Sequence, residues 1–104
     1  MNRALGMLGL CARAGALVTG EKACIQQIRA GRARAAVLDG AASKNAVKAV
    51  GQACQTHGVP LVRTGAFELG DAIGKPDRMA AVITDTGLAA RVTELFQADS
   101  IDNH

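Results

Sequence analysis

The sequence has 104 residues, which is enough for one compact domain and too few for two. Hydrophobic residues make up 49% of the chain, yet no apolar run reaches the ~20 residues that span a bilayer. The net charge of +3 is unevenly distributed: residues 1–63 hold nine lysines and arginines against two acidic residues, and residues 64–104 hold three against seven. If the fold gathers the first group on one surface, that surface would attract a polyanion.

The first third of the chain predicts two helices joined by a short apolar stretch. Asn2 can cap a first helix that ends at Gly15, and a second helix starts at Thr19-Gly20 and ends at Gly31. The apolar stretch ALV lies between them. We interpret the opening residues as a helix and not as a lipoprotein signal, because Leu10 stands where a small residue would precede the cleavage site. A cytoplasmic protein without a membrane segment is therefore expected.

Helical and strand patterns continue to alternate through the rest of the chain. Three stretches read as strands: AAVLD (35–39), VPLVR (59–63) and AAVIT (80–84). Three helices follow them: one capped by Ser43 and ended by Gly58, a short one over about 66–73, and one capped by Asp85. This alternation predicts a single α/β/α domain over residues 1–97, followed by a polar C-terminal tail over residues 98–104.

The stretch RAGALVTGEK, which begins at Arg13, nearly matches the phosphate-binding pattern G-x-x-x-x-G-K-[ST]. Glu21 stands where that loop needs its lysine, and Lys22 stands where it needs a hydroxyl, so a nucleotide site is disfavoured. Gly20 nevertheless begins a helix, where backbone N–H groups lack intrahelical partners and the dipole is positive. This arrangement suits a nucleic-acid backbone, and an ordinary N-cap with a solvated Glu-Lys pair is the alternative.

The remaining polar residues form no catalytic or metal-binding pattern. Ser43 and His57 are expected at opposite ends of one helix, ~20 Å apart at ~1.5 Å per residue, so they cannot share a proton. Cys11, Cys24 and Cys54 lack the spacing of metal ligands, and we expect them to be core residues in a reducing compartment. The sequence therefore predicts a protein that is not an enzyme and uses no metal, cofactor or small-molecule substrate.

The aromatic content disfavours recognition of single-stranded nucleic acid by base stacking. Phe67 and Phe96 are the only aromatic residues of the sequence, and Phe96 falls on the apolar face of the last helix. Backbone contact with folded RNA, recognised by its shape, requires no aromatic residue.

Three stretches together carry a resemblance to a known family: LGLCARAGALVTGEKACIQQIRAGRARAAVLDGAASKN, GVPLVRTGAFELGDAIGK and MAAVITDTG. Over about residues 4–96 the chain resembles the kink-turn RNA-binding ribosomal-protein family of the seven-Ae and thirty-e type, and in particular its bacterial YlxQ-type branch. The resemblance implies a single-domain three-layer α/β/α sandwich with a four-stranded mixed sheet. It also implies a non-enzymatic role in binding structured RNA, such as a kink-turn or ribosomal RNA.

The same resemblance implies two regions of RNA contact. The start of the second helix would enter the groove of a kink-turn, and the loop over residues 74–79 would cover its unstacked nucleotides. More distant basic residues would supply a supporting field. The candidate RNA-binding residues are Arg13, Thr19, Gly20, Glu21, Lys22, Gln26, Arg32, Lys44, Gly74, Lys75 and Arg78.

Two alternatives remain open at this point. A protein-interaction module on the same fold with a decayed RNA surface is one, because Lys22-Ala23 and Gln26 differ from the residues of the strongest kink-turn binders. A small-nucleotide binder that uses the loop between Gly15 and Gly20 is the other. A monomer that binds structured RNA, without a membrane or small-molecule partner, is the leading interpretation.

Overall fold

The computed structural model describes the backbone of residues 3–102 and the side chains of residues 3–98. The described chain forms five helices and four strands. In chain order these are α1 Arg3–Arg13, β1 Leu17–Thr19, α2 Glu21–Arg29, β2 Ala35–Leu38, α3 Lys44–His57, β3 Leu61–Arg63, α4 Glu68–Ile73, β4 Ala80–Ile83 and α5 Thr86–Asp102. The predicted order of helices and strands is confirmed. The last helix continues to Asp102, beyond residue 97, where the sequence predicts the domain to end. The predicted helix cap Asn2 lies outside the described residues.

The four strands form one mixed sheet in the order β1-β4-β2-β3. Strands β2 and β3 are parallel, whereas β4 runs antiparallel to both of its neighbours, β1 and β2. Every residue of the two central strands is buried. The short edge strands β1 and β3 are only partly covered, with Leu61 of β3 36% exposed. The predicted four-stranded mixed sheet is thereby confirmed.

Alternate residues of the central strands face opposite sides of the sheet, and a separate core lies on each side. On one side α1, α4 and α5 pack against Ala35, Val37, Ala81 and Ile83. On the other side α2 and α3 pack against Ala36, Leu38, Ala80 and Val82. The chain is therefore a three-layer α/β/α sandwich, as the sequence predicts.

The three cysteines are free and belong to these cores. Cys11 lies in the first core, and Cys24 and Cys54 lie in the second. Burial, with a smaller contribution from the neighbouring Cys54, raises the pKa of Cys24 to about 12, and burial raises the pKa of Cys11 and of Cys54 as well. Their burial confirms the prediction that the three cysteines are core residues. Because each pKa is raised, all three are protonated thiols at neutral pH.

Capping residues predicted from the sequence set the ends of two helices. The Ser43 hydroxyl accepts a hydrogen bond from the Ala46 N–H at 3.1 Å, and Gly58 ends α3 in the left-handed conformation. Asp85 accepts from the Leu88 N–H at 2.8 Å at the start of α5. Ser43 precedes the 14 residues of α3 and His57 is the last of them, so the two side chains lie at opposite ends of the helix and cannot act together.

The strand register brings several chain segments to a single edge of the sheet. Thr19 pairs with Ala81 and Leu38 pairs with both Ala80 and Arg63, so β1, β2 and β3 end where β4 begins. Helices α2 and α3 start at this edge and end at the opposite one. The candidate interface is built on the edge where these helices start.

Candidate nucleic-acid interface

The start of α2 is shaped by Gly20. Its backbone has φ 99° and ψ 140°, a conformation open to glycine and rarely adopted by other residues. The Gly20 N–H donates to the Ala80 carbonyl at 3.1 Å, which ties the helix start to the first residue of β4. No side chain caps this helix, so the amides of its first turn face outward at the positive end of the dipole.

The loop over residues 74–79 lies beside that helix start. Gly74 ends α4 with a φ of 73°, and a turn joins the Arg78 N–H to the Lys75 carbonyl at 3.0 Å. The loop packs tightly on Gly70 of α4, where a methyl group would lie 2.6 Å from the Lys75 carbonyl oxygen. A methyl group on Gly20 would lie 3.8 Å from Arg78 Nη1, so the two predicted regions of contact adjoin.

Six of the predicted residues thus share this edge of the sheet, and we call them the basic edge: Thr19, Gly20, Lys22, Lys44, Lys75 and Arg78. Its four cationic side chains are exposed. Within residues 3–98 the single side-chain ion pair is that of Arg91 with Glu94, at 2.8 Å on α5. Within the described side chains, no cation of the basic edge is held in an ion pair, although Glu21 and Asp77 are its neighbours along the chain.

A cleft of about 420 Å³ extends the basic edge along the side of the molecule between α1, β1 and the end of α4. Arg13, Thr19, Gly74 and Lys75 all line it, and Asp71 supplies one carboxylate on its wall. The cleft thus connects Arg13, from the end of α1, to the loop over residues 74–79.

The structure separates Arg32 from the other candidates. Arg32 follows the C-terminal end of α2, at the edge of the sheet opposite to Gly20, and its Nε donates to Gln27 Oε1 at 3.2 Å. Gln26 is exposed in the middle of α2, and Glu21 is exposed in its first turn, beside Lys22. Arg32 is thus not part of the basic edge, because a nine-residue helix displaces it by about 13 Å along the helix axis.

Asp39 is a buried residue that holds this edge together and that sequence reasoning did not select. Its side chain is 0% exposed and accepts four hydrogen bonds, from the N–H groups of Ala41, Phe67 and Leu69 and from the Thr64 hydroxyl, at 2.7–3.0 Å. Burial raises the pKa of this carboxyl, but the three backbone donors and the hydroxyl outweigh burial and lower the pKa below its ordinary value. Asp39 thus joins the end of β2 to the start of α4.

A second residue missed at this edge is Arg63, at the end of β3. Its Nη2 donates to the Asp39 carbonyl oxygen at 3.2 Å, so the guanidinium is fixed where β2 and β3 end. The signal in the sequence was the basic residue after the apolar stretch VPLV, but its contact spans 24 residues of chain. Local patterns do not report such a contact.

Two other kinds of site find no support in the part of the chain that the structure describes. Among the side chains of residues 3–98, no cluster of three or more His, Cys, Asp or Glu residues could hold a metal ion. No helix in the described range is long and apolar enough to cross a membrane.

The fold and the basic edge together define a class of small three-layer α/β/α protein in which a helix with a glycine N-cap lies beside a basic loop. The chain belongs to the ribosomal protein L7Ae/L30e/S12e/Gadd45 family, whose model matches residues 3–93. It is similar to the RNA-binding protein YlxQ of Bacillus subtilis (strain 168), with 37% identity over 86% of this chain and 91% of the relative. It is also similar to the RNA-binding protein YlxQ of Enterococcus faecium, with 32% identity over 92% of this chain and 93% of the relative.

Two solved structures have the same fold. A Bacillus halodurans protein of unknown function matches with a TM-score of 0.89 and 28% identity, over 93% of this chain and 99% of that one. The Giardia lamblia 15.5kD RNA binding protein matches with a TM-score of 0.74 and 23% identity, over 90% of this chain and 84% of that one. The resemblance to the YlxQ-type branch is confirmed. Both relatives are named RNA-binding proteins, in agreement with the prediction of a non-enzymatic protein.

Proposed function

We propose that this protein binds structured RNA through the basic edge. The observation that carries the proposal is the meeting of two chain segments: the uncapped start of α2 at Gly20 lies against Arg78 of the loop over residues 74–79. Both segments present exposed cations that form no ion pair with a described carboxylate. The membership of the family and the names of the YlxQ relatives support RNA as the polyanion.

Each part of the basic edge has a distinct task in this proposal. Lys22, Lys75 and Arg78 contact phosphates, while the bare backbone at Gly20 allows the RNA to approach the outward-facing amides of α2. Gln26, one turn further along the helix, reaches base edges in the groove. Arg13 and Lys44 add attraction at longer range. Because the carboxylate of Glu21 would repel a phosphate, it either faces away from the RNA backbone or accepts a hydrogen bond from the amino group of a base.

We further propose that the RNA contains a kink-turn or a similar ribosomal fold. In such an RNA the start of α2 faces the widened groove, and the loop over residues 74–79 covers the kink. The protein acts as a monomer, and light scattering of the free protein and of its RNA complex would test this oligomeric state. Its proposed location is the cytoplasm.

The experiment is a titration of the purified protein into two matched RNA hairpins. One contains a kink-turn, and in the other Watson–Crick pairs replace its sheared G·A pairs. Tighter binding to the first hairpin is expected, and equal binding to both would reject kink-turn specificity while retaining a general affinity for RNA.

Absence of measurable binding to either hairpin, or to ribosomal RNA, would reject the proposed function. The remaining reading would then be a protein-interaction module on this fold. A pull-down that survives ribonuclease and returns one stoichiometric protein would identify it.

A further inference from the structure

The side chain of Phe67 is unusual in pointing into solvent. It is 64% exposed, which makes it the most exposed large hydrophobic residue of the described chain. The other phenylalanine, Phe96, is partly buried and packs against the first core. The low aromatic content disfavours recognition of single-stranded nucleic acid by stacking, but Phe67 belongs to neither core and leaves one aromatic ring accessible.

The backbone of Phe67 is held in a conformation that is costly for its residue type. Its φ of 65° is the one positive value outside glycine in the described chain. The Phe67 N–H donates to Asp39 Oδ2 at 2.7 Å, and that carboxylate is fully buried and held by three further donors. The surrounding structure therefore fixes the backbone from which the ring projects, as is found for residues whose position serves a function.

Phe67 lies next to the loop that belongs to the basic edge. Phe67, Pro76 and Ala66 line one surface cleft of about 380 Å³. The loop sits directly on α4, since a methyl group on Gly70 would lie 2.8 Å from the Pro76 carbonyl oxygen. An RNA held by Lys75 would thus pass beside the ring.

The charges around the cleft distinguish between the parts of an RNA that could enter it. Glu68 and Asp71 both line the cleft, and the Glu68 carboxylate already accepts the Gly65 N–H at 2.7 Å. Two carboxylates repel a phosphate group but not a neutral base. The carboxylate of Asp71 can accept a hydrogen bond from an exocyclic amino group, while the ring of Phe67 offers a face for stacking.

We infer that Phe67 is a stacking platform for one unpaired base of the bound RNA. The inference rests on the proposed function, since the cations of the basic edge bring the RNA to the cleft. It adds a stacking contact to a surface whose other proposed contacts are with phosphates and base edges.

The test uses Phe67→Asn, because asparagine tolerates a positive φ and removes the ring. The melting temperature should not fall. Affinity for the kink-turn hairpin should drop by about 5- to 100-fold, the range expected for one stacked base. Phe67→Tyr should retain binding. Leu61→Asn is the matched control, since it removes an exposed apolar side chain at the opposite edge of the sheet.

The decisive measurement replaces each unpaired nucleotide of that hairpin, one at a time, with an abasic residue. At one position the abasic residue should weaken binding of the original protein and change binding of Phe67→Asn by less than about twofold. Equal abasic penalties in both proteins at every position would overturn the inference while leaving RNA binding intact. That result would assign the exposed ring to a protein partner. Failure of the original protein to bind any hairpin would overturn both proposals.

Discussion

Asp39 fixes more of the backbone around the basic edge than any cationic residue of that edge does. The Oδ2 atom accepts from the N–H groups of Ala41 and Phe67, and Oδ1 accepts from the Leu69 N–H and the Thr64 hydroxyl. One buried carboxylate therefore links the loop after β2 to the loop before α4, which are also joined by the Gly40 N–H donating to the Gly65 carbonyl at 3.4 Å. A carboxylate is required because both of its oxygens act as acceptors.

We expect Asp39→Asn to lower the free energy of unfolding by about 3 kcal/mol, because an amide nitrogen cannot accept and leaves buried donors without a partner. Urea unfolding monitored by circular dichroism measures this change. Asp77→Asn is the matched control, since Asp77 is exposed in the loop over residues 74–79. The control should change stability by less than about 0.5 kcal/mol. Equal effects of both substitutions would refute the role assigned to Asp39.

The pH dependence of stability follows from the same residue. The pKa of Asp39 in the folded chain lies below its ordinary value of 3.8, so the ionised carboxylate stabilises the fold at neutral pH. That contribution is lost as the pH falls below about 4 and through the lowered pKa of the folded state. The urea midpoint of the original protein should therefore fall more steeply in acid than that of Asp39→Asn. Parallel curves would contradict the lowered pKa.

At the residue scale, the sequence predicts those features that depend only on neighbouring residues of the chain. Gly20, the Ser43 cap and the buried cysteines are recognisable because each follows from its neighbours along the chain. The roles of Asp39 and Phe67 depend on a hydrogen bond across 28 residues, and no periodic pattern reports that contact. A positive φ at a phenylalanine is likewise imposed by tertiary structure.

At the scale of elements, the predicted helices and strands exist because hydrophobic periodicity and capping residues agree. The ends of β3 and α4 differ from the prediction by about two residues, since pairing and packing decide which residues join each element. The pairing order β1-β4-β2-β3 was not derivable from periodicity. It depends on contacts between strands that are distant in the sequence.

The contact between α1 and α4 gives an expectation at this scale. A methyl group on Gly9 would lie 2.9 Å from the Ala72 carbonyl oxygen, whereas a methyl group on Gly6 would meet nothing within 4 Å. Gly9→Ala should therefore destabilise the protein by about 1–3 kcal/mol through overpacking. Gly6→Ala, on the exposed side of the same helix, should stabilise it by about 0.5–1 kcal/mol through helix propensity. Thermal unfolding of both variants tests this, and a shift of the same sign in both would contradict close packing of α1 on α4.

At the scale of the whole molecule, the basic surface does not follow the division of charge along the sequence. Lys75 and Arg78 come from the acidic second half of the chain, yet they join the basic edge. Arg29 and Arg32 come from the basic first half but lie towards the opposite edge. The net charge of a segment therefore indicates a polyanion partner but does not tell which cations lie together. The fold, and not the order of residues in the chain, assembles the basic surface.

The salt dependence of RNA affinity tests this spatial assignment. If Lys22 contacts one duplex phosphate, Lys22→Ala should reduce the slope of log K against log salt by about 0.9. Arg32→Ala is the charge-matched control and should leave the slope unchanged, since Arg32 lies at the other edge. Titrations with the kink-turn hairpin between 50 and 300 mM salt, with slopes resolved to about 0.3, would measure the difference. An equal reduction in both variants would refute localisation of binding to the basic edge.

The pairing of β1 with β4 has a consequence for the timing of RNA binding. Leu17 pairs with Ile83, and Gly20 donates to the Ala80 carbonyl, so the two segments of the basic edge come from distant parts of the chain. This pairing cannot form before both segments are available, because it closes a long loop of chain. A nascent chain on the ribosome would thus have no assembled interface until β4 has left the exit tunnel. Binding competence would report that synthesis of the domain is complete.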